Sequence, residues 1–595
     1  MKKSLLFLSF AAMSCFFLQA QYTVKSEHIL QPERNIDYVK NCADFWINSQ
    51  AFDNVNGGFF SNVKVDGTVT DMNSKALVGQ TRHAYGFTRA FMLTGDENYL
   101  TYANSALDFL YNHGWDNTNG GWYYSTNKTG DLFALNQWWN PNTFKWGFQQ
   151  HYGLVGIIAN YEATRSATAK TWMEKGVDEL DSKMWDSRPG YEGYYDEANL
   201  NWTNKRGKGF TSTVDAITTH GELIYLVTKK PAHMTRLMQL ATNITDKLVP
   251  EMKNVTVLYP EVFDANWVPN YTANNSKGSV GHFIKTAWCL GRAYLCDTTK
   301  TEYKDAAIKI LDQTWTYNKS GATIWDHVNG GPFNTMNIST GATIDKTKDY
   351  WTLEQGFTGP MIAHYITKNP NYLQMADESM EFFMTHQVDK VNGEIFMTTS
   401  ADGQTVINNT KGEAFKASYH SIEMGYYGYL YSSLYYLQQP ASLYYKFAAT
   451  AEAQNISLSP IPIEDQCLRI QSVSLDGVNF PNFDAQTRTL NIAANQGGKF
   501  KVTYQYVAKP TGVASVENDN IRVYPNPAID QLNISGMDDV ASISLFDLTG
   551  KVILTEMGHA QNVQIINVES LNPGVYFVML QKTSGAKVMR KIIKL

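Results

Sequence analysis

Cysteine is scarce in this 595-residue chain: five in all, one of them within the first twenty residues. The other four, Cys42, Cys289, Cys296 and Cys467, are too few for a disulfide framework. No CxxC or other zinc spacing occurs. Cys289 and Cys296, seven apart, read as buried thiols on one helix face. A charge excess is missing too. Fifty Lys+Arg stand against 56 Asp+Glu, a net charge of −6, which gives no electrostatic reason to bind nucleic acid or an anionic membrane. Beyond the N-terminal stretch no apolar run reaches 18 residues, so no helical membrane span is expected. A glycine-rich phosphate loop is absent, and no Asp-Asp pair occurs within residues 25–440. Aromatic residues are abundant: 14 Trp, 35 Tyr and 29 Phe. Rings in such numbers serve core packing and stacking on sugar C–H faces. The hydrophobic fraction of 43% suffices for a large core, and the length suits several domains, or one large domain with appendages.

Residues 1–20 read as a signal peptide: Lys2 and Lys3, an apolar core from Leu5 to Leu18, and a cut site near Ala20. The remainder carries an internal repeat. Phe52-Asp53-Asn54-Val55-Asn56-Gly57-Gly58 matches Trp115-Asp116-Asn117-Thr118-Asn119-Gly120-Gly121 and Trp325-Asp326-His327-Val328-Asn329-Gly330-Gly331. Weaker copies hold Asp186, Asp264 and Asp389, so the aspartates recur at spacings of 63, 70, 78, 62 and 63 residues. Each unit fits two helices and a turn. The stretch 99–110 has the apolar spacing of an amphipathic helix, and Asn-Gly-Gly marks a turn with positive φ. Six helical hairpins that cannot bury their faces alone predict a mainly α fold, an (α/α)6 barrel over residues 25–440. The repeated Asp-x-x-Asn-Gly reads as a turn builder rather than a metal loop. Alternating residues at 455–508 predict a small β module, 509–520 a linker, and 521–595 a β-sandwich.

Two resemblances extend this reading. Residues 521–595, with Val523-Tyr524-Pro525-Asn526-Pro527 and the close Lys591-Ile592-Ile593-Lys594-Leu595, resemble a type IX secretion sorting domain. That implies type IX secretion machinery as a partner, with passage through the periplasm to the outer surface or the medium. The barrel resembles the N-acylglucosamine 2-epimerase superfamily, which includes cellobiose 2-epimerase and mannose isomerase. The motifs are Gln80-Thr81-Arg82-His83-Ala84-Tyr85, Lys145-Trp146-Gly147-Phe148-Gln149-Gln150, Thr218-Thr219-His220, Gly281-His282-Phe283-Ile284, Asp349-Tyr350-Trp351 and Lys416-Ala417-Ser418-Tyr419-His420.

The resemblance implies a sugar 2-epimerase or aldose–ketose isomerase acting at the reducing end of an oligosaccharide, with no metal and no cofactor. His282 and His420 would be the acid/base groups across C2, and His220 would assist ring opening. Arg82, Tyr85, Trp351, Glu354, Gln355, Lys285 and Tyr419 would bind substrate. The residue types suit the chemistry: histidine can take or give a proton near neutrality, and arginine is a persistent cation for an enediolate. Two positions depart from the family pattern. Lys285 stands where the family has Glu, and Gln355 stands in place of the Glu of its Trp-Trp motif, with Glu354 one residue earlier. A cation three residues after His282 would tilt that histidine toward a base. These departures keep two alternatives open: a glycan-cleaving hydrolase or lyase on the same barrel, and a glycan-binding protein without activity.

Overall fold

The computed structural model describes residues 22–134, 141–252, 258–272, 276–508, 521–548, 550–559, 563–583 and 587–595. The expected signal peptide and the expected linker 509–520 lie outside the described residues. Two compact units divide the chain, one ending at Val507 and one beginning at Ala508.

The first unit is built on six helical hairpins. An outer helix precedes an inner one in each: Arg34–Asn48 with Leu77–Thr94, and Asn98–His113 with Val155–Thr164. Ala167–Lys183 pairs with Glu222–Thr228, and Pro231–Asn243 with Val280–Cys296. Thr301–Thr316 and Tyr350–Thr367 follow, then Pro370–Phe382 and Tyr419–Tyr431. The outer helices are amphipathic. Ala167–Lys183 buries Ala169, Met173, Gly176, Val177 and Leu180, a single stripe, and its N-cap Ser166 accepts a hydrogen bond from the Ala169 N–H. The inner helices are buried on nearly every side: Leu77–Thr94 exposes no residue before Thr94 and stops at Gly95, whose φ is 72°. The ring closes where the last inner helix meets the first hairpin. The Tyr38 hydroxyl donates to the Ser421 carbonyl (2.9 Å), and a Cβ at Gly86 would strike Ser418.

The repeated aspartates are turn builders. Asp53 Oδ1 accepts from the Val55 and Asn56 amides and Oδ2 from the Asn56 side chain, and Asp116, Asp326 and Asp389 repeat the pattern. Each of these turns also receives a buried ammonium group. Lys75 reaches Asp53 at 2.8 Å, Lys145 Asp116 at 2.9 Å, Lys348 Asp326 at 3.3 Å and Lys411 Asp389 at 2.9 Å. Asp186 is held the same way by Lys208 at 2.8 Å. Lys75, Lys145, Lys208 and Lys348 sit on the short strand leading into an inner helix. In those four repeats the ion pair ties the turn to the point where the inner helix begins.

Residues 441–507 form a small sandwich that shares the barrel's hydrophobic core. One sheet runs in the order Ala441–Phe447, Gly498–Tyr506, Leu468–Leu475, Val478–Asn479, with Ala441 opposite Tyr504. The other runs Gln454–Ser457, Thr489–Ile492, Phe483–Asp484. Strand Ala441–Phe447, which precedes the expected 455–508 module, buries every second side chain, Leu443, Tyr445 and Phe447 among them. The sandwich caps the C-terminal ends of inner helices. Lys499 donates to the Gly95 carbonyl (2.8 Å), Arg165 to that of Ser457 (3.0 Å) and Tyr365 to the Glu464 carboxylate (2.8 Å). That end is covered, so the N-terminal ends are left to form the site.

The second unit is a β-sandwich of three and four strands. Its own core includes Leu532, Ile534, Ile543, Leu545, Val578 and Ile592. No helix among the described residues is long and apolar enough to cross a membrane.

Candidate active site

A cavity of about 190 Å³ opens among the N-terminal ends of the inner helices. Arg82, Tyr152, Asp215, His282, Lys285, Trp351, Glu413 and His420 line it, from all six inner helices or their continuations and one loop. Helix N-termini carry partial positive charge, so this end of the barrel favours an anion.

Each cavity histidine is backed by carboxylate. His282 Nδ1 lies 3.0 Å from Glu261 Oε2, and its ring stacks on Phe210 with centroids 3.9 Å apart. Burial would raise the Glu261 pKa, but His282 and the Ser279 amide more than offset it and hold it low. His420 Nδ1 lies 3.3 Å from Glu354 Oε2 and 3.6 Å from Glu423 Oε2. Burial and the nearby Glu423 push the Glu354 pKa up. Glu423, which burial would also raise, is held below its ordinary value by His420, Arg292 and the Tyr85 hydroxyl. These three residues stand close enough to hold a cation. The donors Thr358 and Tyr85 already occupy one oxygen of Glu354 and one of Glu423, at 2.7 and 2.9 Å. Trp351 lies beside both histidines, with ring centroids 5.0 Å from His282 and 6.4 Å from His420.

Cations line another part of the wall. The Arg82 guanidinium lies over the Tyr152 ring at 4.3 Å, and its Nη1 donates to the Phe415 carbonyl. Burial would lower its pKa, but Tyr152, Tyr350 and Tyr419 raise it on balance. Lys285 Nζ donates to Asp215 Oδ1 at 2.6 Å and to the Tyr152 hydroxyl at 3.2 Å. Burial disfavours its charge, yet Asp215 holds its pKa above the ordinary lysine value.

Of the residues expected from the sequence, Arg82, His282, Lys285, Trp351 and His420 line one cavity. Glu354, Gln355, Tyr85 and Tyr419 lie one layer deeper. The Tyr85 hydroxyl donates to Glu423 (2.9 Å), Tyr419 packs on Tyr85 and His420, and Gln355 bonds Trp288 and Glu354. They support the cavity rather than line it. His220 differs from its expected place. It is buried outside the cavity with its Nε2 3.1 Å from His151 Nδ1, and burial lowers its pKa to about 4. Lys285, three residues after His282, donates to Asp215 at 2.6 Å, and Glu261 is the carboxylate 3.0 Å from His282. Glu354, one residue before Gln355, is the carboxylate that reaches His420. Glu261, Glu413, Glu423 and Tyr152 carried no motif.

The profile of the N-acylglucosamine 2-epimerase (GlcNAc 2-epimerase) family matches residues 58–423, and that of the secretion system C-terminal sorting domain matches 522–595. A cellobiose 2-epimerase from Bacteroides fragilis is 24% identical over 411 residues, covering 67% of this chain and 98% of that protein. A D-mannose isomerase from Marinomonas mediterranea is 24% identical over 384 residues, covering 62% and 89%. The solved cellobiose 2-epimerase of Spirochaeta thermophila superposes with a TM-score of 0.56 at 20% identity, over 68% of this chain and 97% of that one.

Proposed function

Because the chain belongs to the N-acylglucosamine 2-epimerase family, we propose that it is an exported carbohydrate epimerase or aldose–ketose isomerase working at C2 of a reducing-end sugar. One observation carries this: His282 and His420, each backed by carboxylate, flank Trp351 in a cavity that also holds the buried cation Arg82. In the opened sugar, the proton on C2 is acidified by the neighbouring aldehyde. One histidine takes it, the resulting enediolate is held by Arg82 and the helix N-termini, and the other histidine returns a proton. Return to the opposite face of C2 gives the epimer, and return to C1 gives the ketose. Trp351 offers a ring face for the sugar's C–H surface. The sorting domain supplies the route of export.

The cavity's size and charges favour this reading over glycan cleavage. At about 190 Å³ it is smaller than the roughly 300–1,000 Å³ typical of ligand pockets. That suits one sugar residue entered by its reducing end better than an internal stretch of polymer. A hydrolase needs two working carboxyls across the bond it cuts. Among the described residues, Asp215 and Glu413 are the carboxyls lining the cavity, and Asp215 is engaged by Lys285 and Tyr152. The test is incubation with cellobiose, mannobiose, lactose, mannose and N-acetylglucosamine, read by NMR. A C2 epimer or a ketose is expected. No sugar product, together with depolymerisation of a β-glucan or mannan, would overturn the proposal in favour of cleavage.

A further inference from the structure

The geometry points to Glu413 as the ring-opening group of this cavity, an inference that rests on the epimerase reading above. Proton transfer at C2 requires the open-chain aldehyde, whereas reducing sugars in water are almost wholly cyclic. Some group facing the cavity must therefore move the ring-opening proton. His220 does not face it and is bonded to His151. Asp215 is held by Lys285 at 2.6 Å. Glu354 and Glu423 stand behind His420. Glu413 lines the same cavity as Arg82 and His420, and its carboxyl makes no hydrogen bond or ion pair among the described residues.

The loop that carries Glu413 is fixed on both sides. Lys411 is bonded to Asp389, Lys416 to Glu394 (3.1 Å), and Arg82 to the Phe415 carbonyl. The unpaired carboxyl is thus presented by a braced segment. Burial raises its pKa, an effect that Lys416 and Arg82 reduce but do not cancel, so its protonated form is favoured relative to an ordinary glutamate.

A single carboxyl group can open a pyranose by itself. Its O–H gives a proton to the ring oxygen O5 as the C1–O5 bond breaks. Its other oxygen takes the proton of the C1 hydroxyl as C1=O forms. Both sugar oxygens are on C1, so one carboxyl spans them, and it ends the step protonated as it began. No other reactant is consumed.

Mutarotation reads this step apart from chemistry at C2. The probes are freshly dissolved D-mannose and cellobiose, followed by polarimetry, with deuterium incorporation at C2 measured in D₂O on the same samples. The wild-type protein is expected to accelerate mutarotation. Glu413→Gln should lose that acceleration by about 100-fold or more, the usual worth of general acid–base catalysis, with exchange at C2 falling in parallel. Glu413→Asp should restore part of it. His420→Ala should lose exchange at C2 while still accelerating mutarotation. Circular dichroism checks that the variants are folded, and an unfolded Glu413→Gln leaves Glu413→Asp to be read against wild type, where an unchanged mutarotation rate overturns the inference. Wild-type mutarotation in Glu413→Gln would also overturn it, as would a wild-type protein that exchanges C2 without accelerating mutarotation. A wild-type protein that does neither would remove the epimerase reading itself, and this inference with it.

Discussion

Replacing Lys411 with Met tests whether buried ammonium groups hold the turns at the mouth of the barrel. Lys411 is fully buried and donates to Asp389 Oδ2 and the Gly393 carbonyl, both at 2.9 Å. Methionine fills similar volume but leaves the buried Asp389 without its countercharge. Removing one member of a buried ion pair costs about 3–5 kcal/mol. Asp389 would keep its bonds from Val391 and from the amide and side chain of Asn392, so about 3 kcal/mol is expected. All 14 tryptophans lie between residues 46 and 351, so their fluorescence in urea reports the first unit alone. The midpoint should fall with an unchanged slope. Lys75→Met, which breaks the same arrangement in another repeat, should cost a similar amount. In a double-mutant cycle with Asp389→Asn, coupling of about 2 kcal/mol is expected. The pH dependence has a definite sign. Burial would raise the Asp389 pKa, but Asn392 and Lys411 hold it below the usual value of 3.8. Its contribution is therefore present above that pH and lost as the pH falls below it. In Lys411→Met the pKa is less depressed, so acid unfolding should begin at higher pH. A variant within about 0.5 kcal/mol of wild type, the range of ordinary surface substitutions, would refute the reasoning.

Lys285→Met should destabilise the first unit by about 3–5 kcal/mol by leaving Asp215 buried and unpaired. Lys285→Met with Asp215→Leu should recover most of that loss in the same urea assay. Asp349 is buried, and burial raises its pKa from 3.8 to about 7. The folded protein thus holds its proton longer than the unfolded chain, and stability should fall as the pH rises from about 4 to 7. Asp349→Asn should abolish that decline, so that unfolding midpoints of variant and wild type diverge at pH 8 more than at pH 4. Glu354→Gln removes a carboxylate 3.3 Å from His420 and should lower kcat on the order of 100-fold or more with little change in KM, as for other carboxylates that orient catalytic histidines.

The barrel was legible because its turns repeat a sequence that has few physical alternatives. Asp-x-x-Asn-Gly-Gly satisfies its own backbone amides and needs left-handed glycines, as at Gly57 and Gly58 (φ 77° and 70°). The buried lysine is equally regular, 22 residues after the aspartate at Lys75, Lys208, Lys348 and Lys411, but a lone lysine between a turn and a helix ordinarily reads as surface charge. His282, His420, Arg82 and Trp351 could be placed together because each lies near the start of an inner helix. Glu261 and Glu413 could not, since they come from irregular segments whose position no periodicity constrains. The Glu354–Gln355 step shows the limit of matching motifs. Neighbours on a helix point about 100° apart, so Glu354 meets His420 while Gln355 meets Trp288. His220 sits in a motif-like context, yet its packing gives it to His151.

The most direct measurement of the central claim is deuterium incorporation at C2 of D-mannose and cellobiose in D₂O, comparing wild type with His282→Ala and His420→Ala. The account requires exchange in the wild type, together with a new epimer or ketose. Either substitution should slow turnover by about 100-fold or more in a folded protein. Wild-type rates of exchange in both variants would contradict it, because proton transfer would then be the work of other groups.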